Sequence, residues 1–311
     1  FNLLQHALNI EDGLDNVGFR KFSAYVKSIH SNTVVAYVPR GNFRNVLNVL
    51  REKVADDFND NDVHNVAQFL AEGDLVGLSS MTQYSSTVYR IIAKIRQLKP
   101  DAYIVWGGIH PIVQPEDAIQ HADAVCTGEG EFAFKTFFEL FKNGEDYTTA
   151  PSFWFRKNNN VIKNLNLPLM KSQEMDVLPP LTYDDNEKIY HRGKGFKSIR
   201  YKDFLDHTGL GYTAVWSIGC PLACSYCGNT KFIEYDKAYR RIRHSEPQTI
   251  VNEIKRAKTK HPHISTVVFH DDSFLALRYS VLEEFCKLYK KEIRTPFAVF
   301  GIIPNYVSED K

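Results

Sequence analysis

Short apolar runs recur along the first half of the chain, at residues 33–38 (TVVAYV), 75–80 (LVGLSS), 103–108 (YIVWGG) and 122–126 (ADAVC). Each is rich in β-branched residues or bounded by polar and glycine positions, the pattern of buried strands. Between them the period becomes helical: Val88, Ile91, Ile92 and Ile95 share one face of Ser86 to Leu98, and Phe134, Phe137, Phe138 and Phe141 share one face of Glu131 to Phe141. Helices also fit Gly18 to Ile29 and Phe43 to Val54. Strands alternating with helices imply a parallel sheet covered on both faces. Residues 1–145 are therefore expected to form an α/β, doubly wound, Rossmann-like domain.

Residues 146–200 read differently. SFWFRKNNNVIKNL suggests a hairpin turning at Asn158, Asn159 and Asn160, and the Pro-rich LPLMKSQEMDVLPPL follows it. A linker with a hairpin is expected there. A second βα series is expected in 201–311: strand YTAVWSI, a helix from about Pro247 to Lys260, strand STVVFH, a helix from about Ser280 to Lys291, and strand PFAVFGI. Three βα units are fewer than a closed or partly closed barrel needs. The chain starts at Phe1 and stops at Lys311 in the polar PNYVSEDK. The expectation is a truncated (β/α) partial barrel in a fragment of a longer protein.

Composition narrows the function classes. The 311 residues carry 38 basic and 37 acidic side chains, so no charge excess points to nucleic acid or an anionic membrane surface. A small-molecule substrate is the expected partner. No run of about 18 uncharged apolar residues is present, and FNLLQHALNIEDG lacks the basic-then-apolar order of a signal peptide. A cytoplasmic protein without a membrane span is expected. Three of its five cysteines fall within eight residues, which fits a metal site in a reducing compartment better than a disulfide framework.

Those three are Cys220, Cys224 and Cys227, in the segment Trp216-Ser-Ile-Gly-Cys-Pro-Leu-Ala-Cys-Ser-Tyr-Cys-Gly. A loop this short can hold one iron-sulfur cubane, each thiolate on its own iron and the fourth iron open to chemistry. The competing assignment is a structural zinc site, which wants a fourth ligand, and Cys126 and Cys286 are remote in sequence. Cys-x3-Cys-x2-Cys after a strand, with aromatic Tyr226 before the last Cys, resembles the radical SAM superfamily. The resemblance implies a 4Fe-4S cluster on the three cysteines, S-adenosylmethionine on the open iron, and an electron donor such as flavodoxin or ferredoxin. It places Tyr226 against the adenine, and Asp271 and Asp272, at the end of the next strand, near the amino group. Helix capping or a solvated turn is the alternative for the two acids. Arg241 and Arg243 could pair with a carboxylate, but a surface role is equally open, and they stay outside the expected site.

Three small-residue clusters follow predicted strands of the first domain: Ser79, Ser80 and Thr82; Gly107, Gly108 and His110; Gly128, Glu129 and Gly130. The positions share one sheet edge, where open α/β folds bind ligands. Their order and content resemble the cobalamin (B12)-binding domain found in front of many radical SAM domains. That resemblance implies that Ser79, Ser80 and Thr82 line the pocket for the cofactor's nucleotide tail, Gly107 and Gly108 pack against the tail, and Gly128, Glu129 and Gly130 close the far side. His110 is expected as a pocket contact, with buttressing of the next turn as its alternative. The axial-ligand motif Asp-x-His-x-x-Gly has only an imperfect match, Asp62-Val-His64-Asn-Val-Ala67, and Asp62 reads better as a helix cap; His6 is a weak candidate. The implied activity is a cobalamin-dependent radical SAM reaction, with methyl transfer to an unactivated centre expected. The alternatives are an oxidative cyclase or ring-rearranging enzyme of the same architecture, and a non-catalytic cobalamin carrier or sensor.

Overall fold

The computed structural model describes residues 3–14, 16–40, 58–158, 160–181 and 187–308. The helix expected over Phe43 to Val54 lies outside the described residues. Two compact units are present: Phe1–Leu167 with Tyr183–His207, and Pro168–Thr182 with Thr208–Lys311.

The first unit is built on strands β1 (Gln5–Glu11), β2 (Thr33–Pro39), β3 (Leu75–Ser80), β4 (Tyr103–Gly107) and β5 (Ala124–Cys126), all parallel, in the order 5-4-3-1-2. This is a doubly wound order with its reversal between β1 and β3. Because side chains alternate along a strand, each face has its own core. Leu8, Ile10, Val76, Leu78 and Trp106 pack beneath α2 (Asp60–Leu70) and α3 (Ser85–Leu98), which supply Val66, Leu70, Val88, Ile91 and Ile95. On the opposite face Leu75, Val105 and Ala124 meet Val26 of α1 (Val17–Ile29) and Phe134, Phe137 and Phe138 of α4 (Gly130–Asn143).

Residues 146–200 are not the linker expected. The hairpin of β6 (Phe153–Lys157) and β7 (Asn160–Lys163) pairs antiparallel with β5. The pair β8 (Lys188–His191) and β9 (Gly195–Ser198) extends the sheet beyond β2. Both additions cover edges whose backbone groups would otherwise lack partners. Asn158 adopts φ +49° in the first hairpin, a left-handed conformation asparagine tolerates. Asp62 is not the cap of α2 but the third-position partner of Asn59, which caps the helix in a reciprocal capping box.

In the second unit β10 (Gly211–Ala214), β13 (Thr266–Phe269) and β14 (Phe297–Val299) form a parallel sheet ordered 10-13-14. A two-residue ribbon joins β11 (Ser217–Ile218) to β12 (Arg243–His244). The single strand expected over YTAVWSI is thus two. The break falls where the Trp216 and Ser217 N–H groups turn to Asp271 instead of a neighbouring strand. After α5 (Asn229–Tyr235), helix α6 (Pro247–Lys260) starts on Pro247, and with α7 (Tyr279–Glu292) it flanks an aromatic core in which Trp216 stacks on Phe285 at 4.6 Å.

Candidate functional site

In the second unit the cysteine loop is fixed at both ends by one acid. Asp272 Oδ2 accepts from the Gly219 N–H at 3.0 Å and from the Tyr239 hydroxyl at 2.9 Å, while its Oδ1 accepts from Asn229 Nδ2 at 2.9 Å. Gly219 precedes the first cysteine and Asn229 follows the last by two residues, so the carboxylate ties both flanks of the loop to the end of β13. Cys220 N–H donates to the Tyr239 carbonyl at 3.1 Å. Gly219 has φ +123°, and a Cβ there would lie 2.5 Å from the Arg241 carbonyl oxygen. Only glycine lets the two backbones approach this closely. Within the loop, Cys227 N–H donates to the Cys224 carbonyl at 3.0 Å, and the Thr230 hydroxyl donates to the same oxygen at 2.7 Å.

Asp271 and Asp272 therefore do different work from the role expected of them as a pair. Asp271 is 2% exposed and accepts from Trp216 N–H (2.9 Å), Ser217 N–H (2.8 Å) and the Ser217 hydroxyl (2.5 Å). Those bonds make it a brace for the turn from β10 into β11. Asp272 has bonds on both oxygens as well and faces the loop. Arg243 is buried, not at the surface, and donates to the Met170 carbonyl at 2.8 Å. Ser245 accepts from the Trp216 indole at 2.8 Å through its carbonyl.

What remains available on the loop is the thiols and the ring beside them. All three cysteines are free, Cys220 buried and Cys224 and Cys227 half-buried. Tyr226 is 90% exposed, and the neighbouring Cys224, through its charge and a hydrogen bond, raises the phenol above its ordinary pKa. Among the described residues no three His, Cys, Asp or Glu side chains gather around a single ion. A cubane asks for a different arrangement, three thiolates spread over three irons, and one pinned loop with three free thiols suits it. Cys126, remote from the loop in sequence, sits in β5 of the first unit, and Cys286 is exposed on α7.

In the first unit the three small-residue clusters lie at or just after the C-terminal ends of β3, β4 and β5. Backbone register aligns Asn9 of β1 with Ser79 of β3, and Ser79 with Gly107 of β4. Gly108 has φ +89°, and a Cβ on it would lie 2.9 Å from Ser79 Oγ and from the Ser80 backbone, so the chain crosses the end of β3 only as glycine. Ser80 is buried and its hydroxyl accepts from the Trp106 indole at 3.1 Å, which turns it away from Ser79 toward the α2–α3 face. Thr82 is exposed at the start of the turn after β3. Gly128 is close to the hairpin segment, where a Cβ would be 3.2 Å from Ser152 Oγ; Gly130 is close to Phe22 of α1, at 3.1 Å. Gly130 thus answers helix packing. Glu129 precedes α4 and makes no side-chain cap.

His110 takes the buttressing alternative, not the pocket one. Its ring is buried at 4.8 Å from the Trp106 ring, with Nε2 3.0 Å from Asp117 Oδ2. Burial lowers its pKa, and Asp117 partly opposes that. Trp106 faces the α2–α3 core, so His110 lies on the other face from the Ser79–Gly107 row. His64 is within α2 and His6 at the opposite end of β1 from Asn9; burial drops the His6 pKa to about 4. Sequence reasoning missed three residues here. Ser152 and Asn166 tie the segment after β5 in place: Thr127 Oγ1 meets Asn166 Oδ1 at 2.7 Å, and Ser152 Oγ accepts from Leu167 N–H at 2.8 Å. Asn9, 1% exposed, has no hydrogen-bond partner among the described residues for either end of its amide. A polar residue at the C-terminal end of an otherwise apolar strand was the available signal.

Comparison with known proteins agrees with this division. Residues 29–138 match the B12 binding domain family, and residues 215–310 match the Radical SAM superfamily. The chain is similar to the anaerobic magnesium-protoporphyrin IX monomethyl ester cyclase of Synechocystis sp., with 25% identity over 183 residues, 58% of this chain and 32% of that protein. It is also similar to an uncharacterized methyltransferase of Pyrococcus horikoshii, with 23% identity over 225 residues, 71% of this chain and 44% of that protein. It therefore spans less than half the length of these curated relatives. In fold it resembles the radical S-adenosylmethionine methyltransferase TsrM from Kitasatospora setae, solved with cobalamin and a 4Fe-4S cluster bound: TM-score 0.63, 16% identity, 93% of this chain and 52% of that one. No helix of the described residues is long and apolar enough to cross a membrane.

Proposed function

The chain belongs to the radical SAM proteins that carry a cobalamin (B12)-binding domain, and from that premise we propose that it is an enzyme cleaving S-adenosylmethionine reductively to drive methyl transfer to an unactivated centre. When bound, a 4Fe-4S cluster supplies the electron and the open iron for that cleavage, and cobalamin supplies a methyl carrier. Cys220, Cys224 and Cys227 would hold the cluster. Tyr226, exposed beside Cys224, would cover the adenine. Asp272 acts one step back, holding Gly219 and Asn229 so that the thiols keep their spacing. Asp271 fixes the turn that delivers the loop. In the first unit Ser79, Gly107 and Gly108 offer a floor with little side-chain bulk to a nucleotide tail, Thr82 borders it, and Gly128 and Glu129 lie beyond Cys126 on the same edge.

The observation that carries the reading is the cysteine loop, whose backbone is pinned by Asp272 while all three thiols remain free. The substrate is a small molecule, and the electron comes from a donor of the flavodoxin or ferredoxin class in the cytoplasm. A radical cyclisation on the same two domains is the second reading, supported by the similarity to the magnesium-protoporphyrin cyclase. Anaerobic incubation of the full chain with iron, sulfide, dithionite and S-adenosylmethionine tests the shared step. Formation of 5'-deoxyadenosine that disappears in Cys224→Ala supports it. Equal formation by the variant overturns it.

A further inference from the structure

Asn9 is buried in the sheet of the first unit, and among the described residues neither its amide nitrogen nor its oxygen has a hydrogen-bond partner. A buried polar group without a hydrogen bond is costly, so its retention calls for an explanation. Its location supplies one. Asn9 stands two positions from the end of β1, at the reversal of strand order between β1 and β3, where folds of this type take ligands.

Strand alternation places Leu8 and Ile10 in the core beneath α2 and α3. Asn9 therefore points to the other face, the one covered by α1 and α4. Register continues that face into Ser79 and Gly107. Around Gly107 the nearest atoms to a Cβ would be 3.9 and 4.0 Å away, so this glycine is not required by a tight contact within the fold. Farther back along the same face Gly77 again has no side chain, and its nearest neighbours are backbone atoms of β1 at 3.6 and 4.0 Å. The row thus has an unpaired amide at one side and a floor of serine and glycine beside it.

We propose that Asn9 is a specificity-determining contact for the nucleotide tail of a corrinoid, reaching its ribose hydroxyls or phosphate ester from the α1–α4 face of the sheet. The proposal rests on the cobalamin reading above. A slender tail fits between a sheet and its helices, whereas a corrin macrocycle belongs outside the strand ends. An asparagine amide offers two donors and a carbonyl acceptor, which match groups that both donate and accept.

The full chain, purified without corrinoid, would be titrated with hydroxocobalamin, which has the tail, and with dicyanocobinamide, which lacks it. Asn9→Leu keeps the volume and removes the unpaired amide. It is expected to weaken hydroxocobalamin binding about tenfold or more, leave dicyanocobinamide binding unchanged, and raise the melting temperature of the corrinoid-free chain. The last result separates a ligand-directed amide from one that supports the fold. Unchanged hydroxocobalamin affinity overturns the proposal and assigns the amide to a buried water. Equal weakening of both corrinoids also overturns it. Should Asn9→Leu not fold, Asn9→Ala is read by the same ratio of the two affinities. If the unaltered chain takes up neither corrinoid, the cobalamin reading itself fails, an outcome distinct from the loss of the Asn9 effect alone.

Discussion

The C-terminal edge of the first sheet and the cysteine loop of the second unit solve opposite versions of one problem. At the sheet edge several polar side chains are engaged with each other, Ser80 with Trp106, Thr127 with Asn166 and His110 with Asp117, whereas Asn9, behind a floor of glycines, has no hydrogen-bond partner among the described residues for either end of its amide. On the loop the acids and amides are engaged, Asp271 with the β10–β11 turn and Asp272 with Gly219, Asn229 and Tyr239, and the thiols are left over. The groups with the most obvious chemical character by sequence, the paired aspartates and the loop histidine, are held in hydrogen bonds within the fold. What this leaves for a cofactor is the three cysteines, none of them in a disulfide, and the Asn9 amide.

The largest effect that would break this contrast belongs to the thiols. Cys224→Ala should abolish the broad visible absorption of a reconstituted cluster while leaving hydroxocobalamin uptake by the first unit unchanged; loss of both would mean that the two regions are not independent. Asp271→Ala comes next. It strands two buried backbone N–H groups and should cost about 3 kcal/mol in denaturant unfolding. A change under about 0.5 kcal/mol would show that the brace is not needed.

Acid sharpens the comparison from the other side. His6 titrates at 6.5 when unfolded and at about 4 when buried, so the unfolded chain binds the proton first as pH falls. Its contribution is intact above 6.5 and is lost on the way down to about 4, a loss of up to about 3 kcal/mol centred on the first unit. His110, also lowered by burial, acts in the same direction. Urea unfolding between pH 7 and 4 should show the slope, and His6→Phe should flatten it; an unchanged slope in the variant assigns the acid sensitivity elsewhere. The smallest effect is expected from Tyr239→Phe, which removes one of the three bonds to Asp272. About 1 kcal/mol of stability should go with it, and cluster occupancy should fall only partly.

Much of the fold was legible because its signals are local. The strands at 75–80 and 103–108, and the faces of α3 and α4, follow from periodicity in one window of sequence. Residues 146–200 were misread because β8 and β9 are four residues each and carry Glu187, Lys188 and Lys197 at their margins, too short and too polar to show a strand pattern. Their place is set by pairing with β2, a contact made across some 150 residues of chain. The cysteines stand out by spacing alone, and the structure adds the hydrogen bonds that pin their loop. The roles of Asp271 and His110 were not legible, since adjacent residues of a strand end point to opposite sides and sequence does not say which one meets the backbone of a remote turn. Asn9 was hidden for a related reason: a single polar residue in an apolar strand becomes conspicuous only once the absence of a partner is seen.

The claim that joins these regions is that one polypeptide holds two cofactors at two separate sites. Anaerobic reconstitution of the full chain with iron, sulfide and hydroxocobalamin, followed by desalting and counting of iron and corrin in the same sample, measures it. The account predicts about four irons and one corrin per chain, and a Cys220→Ala, Cys224→Ala, Cys227→Ala triple variant that keeps the corrin and loses the iron. Iron retained by the triple variant, or no corrin bound by the unaltered chain, would contradict it.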